Sequence, residues 1–325
     1  MSVPLHSAGF ERFSFADRAR GDEVKCAIWY PAASAEADLV EGPWSFRVAA
    51  GSNPKPGRWP LVVMSHGTAS SWREHYDTAE FLARRGFVVA AQSHLGDSYD
   101  YADKDLGGLE SAIHRPGQVS HLLDGLLQSP RHAPMIDADR IGVFGFSIGG
   151  FTAFVLAGGR PDFSKIATHP ANDPPSIYFR GSPQERDERA RRLVRAPPAS
   201  PDGRVRAILV MAPALGFLFD DLGLIDVRVP VRLYRVEHDQ ILHHPYDGET
   251  YRRMLPVTPD TIVVADAGHY VFLAPPPAIL ARLVPNVFKD RGSFDRFAFH
   301  LQLNAETEEF FKTHWYDEGE IAARR

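Results

Sequence analysis

Asp139-Arg140-Ile141-Gly142-Val143-Phe144-Gly145-Phe146-Ser147-Ile148-Gly149-Gly150 sets one serine between two glycines, after an apolar run and before a helix-like stretch at residues 151–157. In a strand-to-helix elbow the serine backbone is strained so that its hydroxyl stands clear of the sheet. The positions two before and two after it pass so close to their neighbours that a Cβ would clash. Gly145 and Gly149 hold those positions, and Gly150 gives the following helix room to lie against the strand. A Gly-rich turn in an ordinary βα unit carries the same string, so the strand before and the helix after decide for the elbow. Ser147 is the candidate nucleophile.

Outward from this stretch the pattern is regular. Residues 61–64 form a short buried-strand run, 76–85 a helix with Thr78, Phe81 and Leu82 at helical spacing before Gly86, and 87–91 a strand. Residues 116–128 read as a second helix with Val119, Leu122, Leu123, Leu126 and Leu127 on one face. The elbow strand covers 141–144, and 205–211, 231–236 and 261–264 supply three more strands. Residues 10–16 and 24–30 alternate and read as an antiparallel pair turned at Arg20-Gly21-Asp22, placed at the edge of the sheet. Strands alternating with helices at these lengths predict an α/β fold: a doubly wound, mostly parallel, eight-stranded sheet with helices on both faces.

Three segments stand outside this alternation. Residues 31–60, rich in Ala, Gly, Pro, Ser and Asn, read as a surface excursion in which Trp44, Phe46 and Trp59 pin the loop or cover part of a pocket. Residues 160–204, rich in Pro, Asp and Arg, carry a charged helical piece at 184–195 whose charges suit a solvated face. Because this segment leaves the sheet just after the helix that follows Ser147, it is expected to fold over the nucleophile as a lid. Residues 294–315 read as a closing helix with Phe297, Leu301, Phe310 and Phe311 apolar. The expectation is one domain over residues 1–325 with 160–204 inserted in it.

The chain of 325 residues is 44% hydrophobic and 24% charged, the balance of a globular protein with one sizeable core. Its net charge of −5 and the lack of basic runs interleaved with aromatics argue against nucleic acid as a partner. Cys26 is the sole cysteine, so there is no intramolecular disulfide and no thiolate cluster for zinc, and it is expected to pack as a small apolar residue. The first residues lack the basic start and apolar core of a signal peptide, and no stretch has about 18 uninterrupted apolar residues. A cytoplasmic location without stable membrane anchoring is the expectation.

A serine hydroxyl is a poor nucleophile at neutral pH, so it needs a base within hydrogen-bond reach and a third group to orient that base. Fourteen histidines are available, and His269 stands out by position. It follows the strand at 261–264 through Ala265-Asp266-Ala267-Gly268, a small-residue loop suited to carry an imidazole back over the sheet edge. Asp239 follows the strand at 231–236 directly and is the candidate acid, with Glu237 and the pair Asp220-Asp221 as rivals and Asp266 a loop-capping residue. Acyl transfer also needs donors aimed at the developing oxyanion. The candidates are the backbone N–H of Ile148, at its helix N-terminus, and that of Thr68 in Ser65-His66-Gly67-Thr68, with His66 as packing beneath. Phe217, Phe219 and Tyr270 are candidates to line an apolar acyl pocket. His238, Asp239, His243, His244 and Asp247 match no zinc spacing, and no string matches a phosphate loop or dinucleotide fingerprint, so neither metal nor cofactor is expected.

With these residues in place the chain resembles the α/β-hydrolase superfamily over nearly its whole length. Within it, the chain resembles the dienelactone hydrolase-like group, in the branch that also holds the platelet-activating factor acetylhydrolases. The resemblance is carried by residues 60–67, 81–91, 145–150 and 268–275. It implies the α/β-hydrolase fold and a serine esterase acting on carboxylic esters or lactones, with a triad of Ser147, Asp239 and His269. Dienelactone hydrolases themselves use a cysteine where this chain has Ser147. Amide or peptide cleavage by the same residues, and a non-catalytic binding protein on the same fold, are the alternatives.

Overall fold

Apolar runs without polar alternation must be covered on both faces, and in this chain they pair side by side as the parallel centre of one sheet. The computed structural model describes residues 6–17, 21–101, 109–169, 182–196 and 200–316. Two long strands come first, β1 (Ser7–Ala16) and β2 (Glu23–Ala32), paired antiparallel along their whole length. A hairpin follows, β3 (Ala37–Glu41) and β4 (Trp44–Ala50). Then come β5 (Trp59–Ser65), β6 (Val88–Gln92), β7 (Ile136–Phe146), β8 (Val205–Met211), β9 (Val231–Val236) and β10 (Asp260–Val264), all parallel to one another. The order across the sheet is β10-β9-β8-β7-β5-β6-β2-β1-β4-β3.

The α/β architecture is the expected one, with ten strands among the described residues instead of eight. The two additional strands are the β3–β4 hairpin, inside the segment read as a surface excursion. Its Ala, Gly and Ser content hides the strand signal, yet Phe46 and Val48 are buried on one face and Gly42, at φ 57°, makes the turn. Because β4 pairs with β1 through Gly9↔Ala49 and Phe10↔Ala50, the β1–β2 pair lies inside the sheet and not at its edge.

Ten α-helices are described: α1 (Tyr76–Arg84), α2 (Leu109–Gln128), α3 (Ile148–Leu156), α4 (Lys165–Thr168), α5 (Pro183–Val194), α6 (Asp221–Leu224), α7 (Gly248–Met254), α8 (Ala278–Leu283), α9 (Pro285–Phe288) and α10 (Arg296–Trp315). Val119, Leu122, Leu123 and Leu126 form the buried stripe of α2, which packs on α3, while α1 packs on α10. All nine residues of α3 are buried, as expected of the helix that leaves an elbow at the centre of the sheet. Helix α10 buries Leu303, Phe310, Phe311 and Trp315 but exposes Phe297 (65%) and Leu301 (60%), so two of the four apolar residues expected on this helix do not face the core. Cys26 is buried in β2.

The winding reverses around β5: β6 lies on one side of it and β7 on the other. In such sheets the crevice at the carboxyl ends of the strands where the order reverses is the place for a ligand. Ser65-His66-Gly67-Thr68 and Ser147 both emerge there.

Candidate active site

Ser147 links β7 to α3 with φ 54° and ψ −118°, a conformation that an L-residue adopts only at a cost of about 1–3 kcal/mol. The surrounding backbone enforces it. Ser147 N–H donates to the Met211 carbonyl (2.9 Å), and the Ser147 carbonyl accepts from Ala214 N–H (3.0 Å). A Cβ on Gly145 would lie 2.3 Å from the Gly149 carbonyl oxygen, and one on Gly149 only 1.9 Å from that of Ser65. Both elbow glycines are therefore required by backbone contact, as their positions in the sequence suggest.

Asp239 leaves β9 in a turn that its own side chain closes, since Oδ1 accepts the N–H groups of Ile241 (2.9 Å) and Leu242 (2.7 Å). The other oxygen, Oδ2, lies 2.8 Å from His269 Nδ1. A carboxylate there accepts only, so Nδ1 carries the hydrogen and Nε2 is left as the basic nitrogen. Burial pushes the Asp239 carboxyl up, but the His269 imidazole and the two backbone N–H groups outweigh it and hold the group below its ordinary value. His269 is 2% exposed, its backbone N–H donates to Gln240 Oε1 (2.9 Å), and its ring lies 4.9 Å from that of Phe146. Ser147 and His269 line the same cavity. Among the described residues Ser147 Oγ has no hydrogen-bond partner, and catalytic hydrogen bonds commonly tighten only in the reacting complex.

Asp247 shares a small second cavity with Asp239. Burial, and then the charge of Asp239, push its carboxyl up to about 7.

The two expected oxyanion donors stand at the same crevice. Ile148 N–H opens α3, and Thr68 lines the cavity; neither N–H donates to a described residue. His66 is buried beneath, its Nε2 accepting from His94 N–H (3.0 Å) and its Nδ1 facing the Gly67 carbonyl (2.6 Å). Burial, with the Arg115 charge adding to it, pushes its pKa down to about 4, so it is a neutral packing group and not a second base.

The cavity over Ser147 measures about 610 Å³ and is walled mostly by apolar side chains. Trp44 of the hairpin, Phe146, Ile241 and Tyr270 line one part; Leu280, Val284, Val287 and Phe288, on or beside α8 and α9, line another. Of the three aromatic residues expected to line it, Tyr270 does. Phe219 is instead buried against Phe151 and Tyr251, and the Phe217 ring packs, tilted, against that of His169 at 4.3 Å; neither borders this cavity. The wall at 278–288 has a readable signal that sequence analysis passed over, four apolar residues at 280, 284, 287 and 288 with helical spacing. Residues 160–204 contribute nothing to the lining among their described members, and 170–181 and 197–199 of that segment lie outside the described residues. Its helix α5 instead meets α2, through Arg189 and Arg192 beside Glu110.

Among the described residues Glu74 is the one acidic residue in the lining. Burial pushes its carboxyl up, but contact with His75 and the Gly67 N–H prevails and leaves it below its ordinary value. Metal-ligand spacing occurs among the described residues only at exposed Glu237, His238 and Asp266. Among the described residues no helix is long and apolar enough to cross a membrane.

This combination of doubly wound sheet, strained serine elbow and strand-end His–Asp pair defines the hydrolase class of α/β proteins. Residues 62–282 match the model of the alpha/beta hydrolase family, about two thirds of the chain, and the chain belongs to that family. It is also similar in structure to a ferulic acid esterase from Streptomyces cinnamoneus, with a TM-score of 0.62 over 97% of this chain and 91% of that one at 21% identity. No curated protein matches the sequence.

Proposed function

We propose that this protein is a serine esterase that cleaves carboxylic esters or lactones through an acyl-enzyme on Ser147. The observation that carries the reading is the strained Ser147 elbow opening into the same cavity as His269, whose Nδ1 is held by Asp239 at 2.8 Å. Ser147 Oγ attacks the ester carbonyl carbon while its proton passes to His269 Nε2. The carbonyl oxygen becomes an oxyanion that faces the N–H groups of Ile148 and Thr68. Collapse of this intermediate expels the alcohol, which takes the proton from His269, and water then repeats the sequence on the acyl-enzyme. Asp239 keeps the imidazole in the required tautomer and stabilises its charged form.

The apolar walls suit a neutral acyl or alkoxy group. A carboxylate-bearing lactone would face Glu74 with no cationic side chain in the lining among the described residues, so a dienelactone-like substrate fits this pocket poorly. The likeness to the Streptomyces esterase, at 21% identity, supports the fold, and its named activity agrees with an ester substrate. In this reading the whole chain is one catalytic domain, with 160–204 an insertion within it whose described helix α5 meets α2. A fluorophosphonate should label the protein stoichiometrically, with labelling abolished in Ser147→Ala. p-Nitrophenyl esters should turn over and matched anilides should not. A native protein that stays unlabelled, or anilides hydrolysed faster than esters, would overturn the proposal.

A further inference from the structure

We propose that Arg115 is the positioning residue that aims the Thr68 N–H at the oxyanion, an inference that rests on the acyl-transfer reading of Ser147. Arg115 sits in α2 and is 0% exposed, a rare state for an arginine. Its Nη1 donates to the His66 carbonyl (2.5 Å) and its Nη2 to the Gly67 carbonyl (3.1 Å). Nε and Nη2 also hold Asp97 Oδ2, at 3.1 and 2.7 Å. Asp97 Oδ1 in turn accepts the Ala69 N–H (2.9 Å), while Oδ2 also accepts from Ser111 Oγ (2.9 Å). The buried ion pair thus grips the loop on both sides of Thr68.

Taken peptide by peptide, the contacts leave one group free. The peptide between His66 and Gly67 is fixed at both ends, its carbonyl by Arg115 and its N–H by Glu74 Oε2 (2.6 Å). The next peptide joins the Gly67 carbonyl to the Thr68 N–H. That carbonyl is held from the protein interior by Arg115 and by His66 Nδ1 (2.6 Å). A trans peptide points its carbonyl and its N–H in opposite directions, so drawing the Gly67 oxygen inward turns the Thr68 N–H away from Arg115. Of the three successive N–H groups at 67, 68 and 69, only that of Thr68 has no described partner, and Gly67, Thr68 and Ala69 line the cavity. Donation from a guanidinium to the carbonyl also polarises the peptide and strengthens its N–H as a donor. A buried ion pair is often replaceable by apolar residues with no loss of stability, so stability alone does not account for this one.

The test compares the full-length protein with Arg115→Met and Arg115→Lys on a p-nitrophenyl ester. It also measures inhibition by a trifluoromethyl ketone and by its methyl ketone parent. Ser147 Oγ adds to the fluorinated carbonyl, its proton passes to His269 and the carbonyl oxygen becomes an oxyanion; the parent ketone binds without that step. Arg115→Met is expected to lower kcat roughly 10- to 100-fold, part or all of one oxyanion donor, with KM within about 3-fold. Trifluoromethyl ketone affinity should fall in parallel and methyl ketone affinity should hold. Lysine, which keeps one charged donor, should recover part of the loss. If Arg115→Met yields no folded protein, His66→Phe, which removes the other donor to the Gly67 carbonyl, must give the same pattern. Unchanged kcat and trifluoromethyl ketone affinity, or equal loss for both ketones, would overturn the role of Arg115. Turnover that survives Ser147→Ala would instead overturn the nucleophile reading on which it rests.

Discussion

Gly149→Ala adds a single methyl group two residues from Ser147, and the surrounding backbone determines its effect. The new Cβ would lie 1.9 Å from the Ser65 carbonyl oxygen and 3.0 Å from that of His66, both main-chain atoms that no rotamer change can move aside. Real Cβ contacts essentially never fall below 3.0 Å, so the start of α3 and the end of β5 must separate by about 1.1 Å. Those two elements carry Ser147 with Ile148 on one side and lead into Thr68 on the other, so the separation acts directly on the proposed nucleophile and oxyanion donors. A misplacement of about 1 Å costs on the order of 10²-fold in rate, and overpacking costs roughly 1–3 kcal/mol in stability. Steady-state kcat/KM on a p-nitrophenyl ester, read beside a thermal melt, should show an approximately 100-fold loss in a protein that still folds. Gly117→Ala and Gly125→Ala in α2 are the controls. Their methyl groups meet nothing within 4 Å, so activity should hold and stability should rise by about 0.5–1 kcal/mol. A folded Gly149→Ala protein with wild-type kcat/KM would refute the elbow argument.

Ser147→Gly and Ser147→Ala should both be inactive, yet only glycine adopts φ 54° without strain, so the glycine variant should be the more stable by about 1 kcal/mol or more in denaturant titration. Equal stabilities would show that the elbow stores no strain. Asp239→Asn should lower kcat by on the order of 10³–10⁴-fold with little change in KM, because the amide no longer fixes the Nδ1–H tautomer of His269; a loss under 10-fold would remove Asp239 from its assigned role. Asp247 gives a pH test with a definite sign. Its folded value, raised to about 7 from 3.8, means that the native state keeps a proton that the unfolded chain releases. Stability is therefore lost as pH rises from about 4 to about 7, by up to about 4 kcal/mol. Asp247→Asn lacks this dependence, so melts at pH 5 and pH 8 should show the variant gaining on the wild type at the higher pH; a pH-independent difference would contradict it.

The catalytic candidates were legible because each is local to a strand end: Ser147 follows the elbow strand, Asp239 follows β9 and His269 follows β10. Position after a strand is a one-dimensional property, and the fold then gathers strand ends without further information from sequence. Pocket walls are different. Leu280, Val284 and Phe288 reach the cavity because a segment far along the chain folds back over it, and nothing in their own neighbourhood indicates where it lands. Phe217 and Phe219 were misplaced for the same reason, since proximity in sequence to β8 says little about which side of the loop faces Ser147. Arg115 was hidden in another way: one arginine in a helix is ordinarily a solvated charge, and only burial against His66, Gly67 and Asp97 marks it out. The β3–β4 hairpin has its own signal in the alternation Trp44-Ser45-Phe46-Arg47-Val48, but the Ala, Gly, Pro and Ser residues around it give the whole segment the composition of a loop.

Rapid acid quench of the protein during turnover of a p-nitrophenyl ester, followed by peptide mass spectrometry, addresses the central claim most directly. The account predicts an acyl mass increment on the peptide containing Ser147, increased when His269→Ala slows deacylation and absent in Ser147→Ala. Turnover with no acyl group at residue 147, or with one on a different side chain, would contradict it.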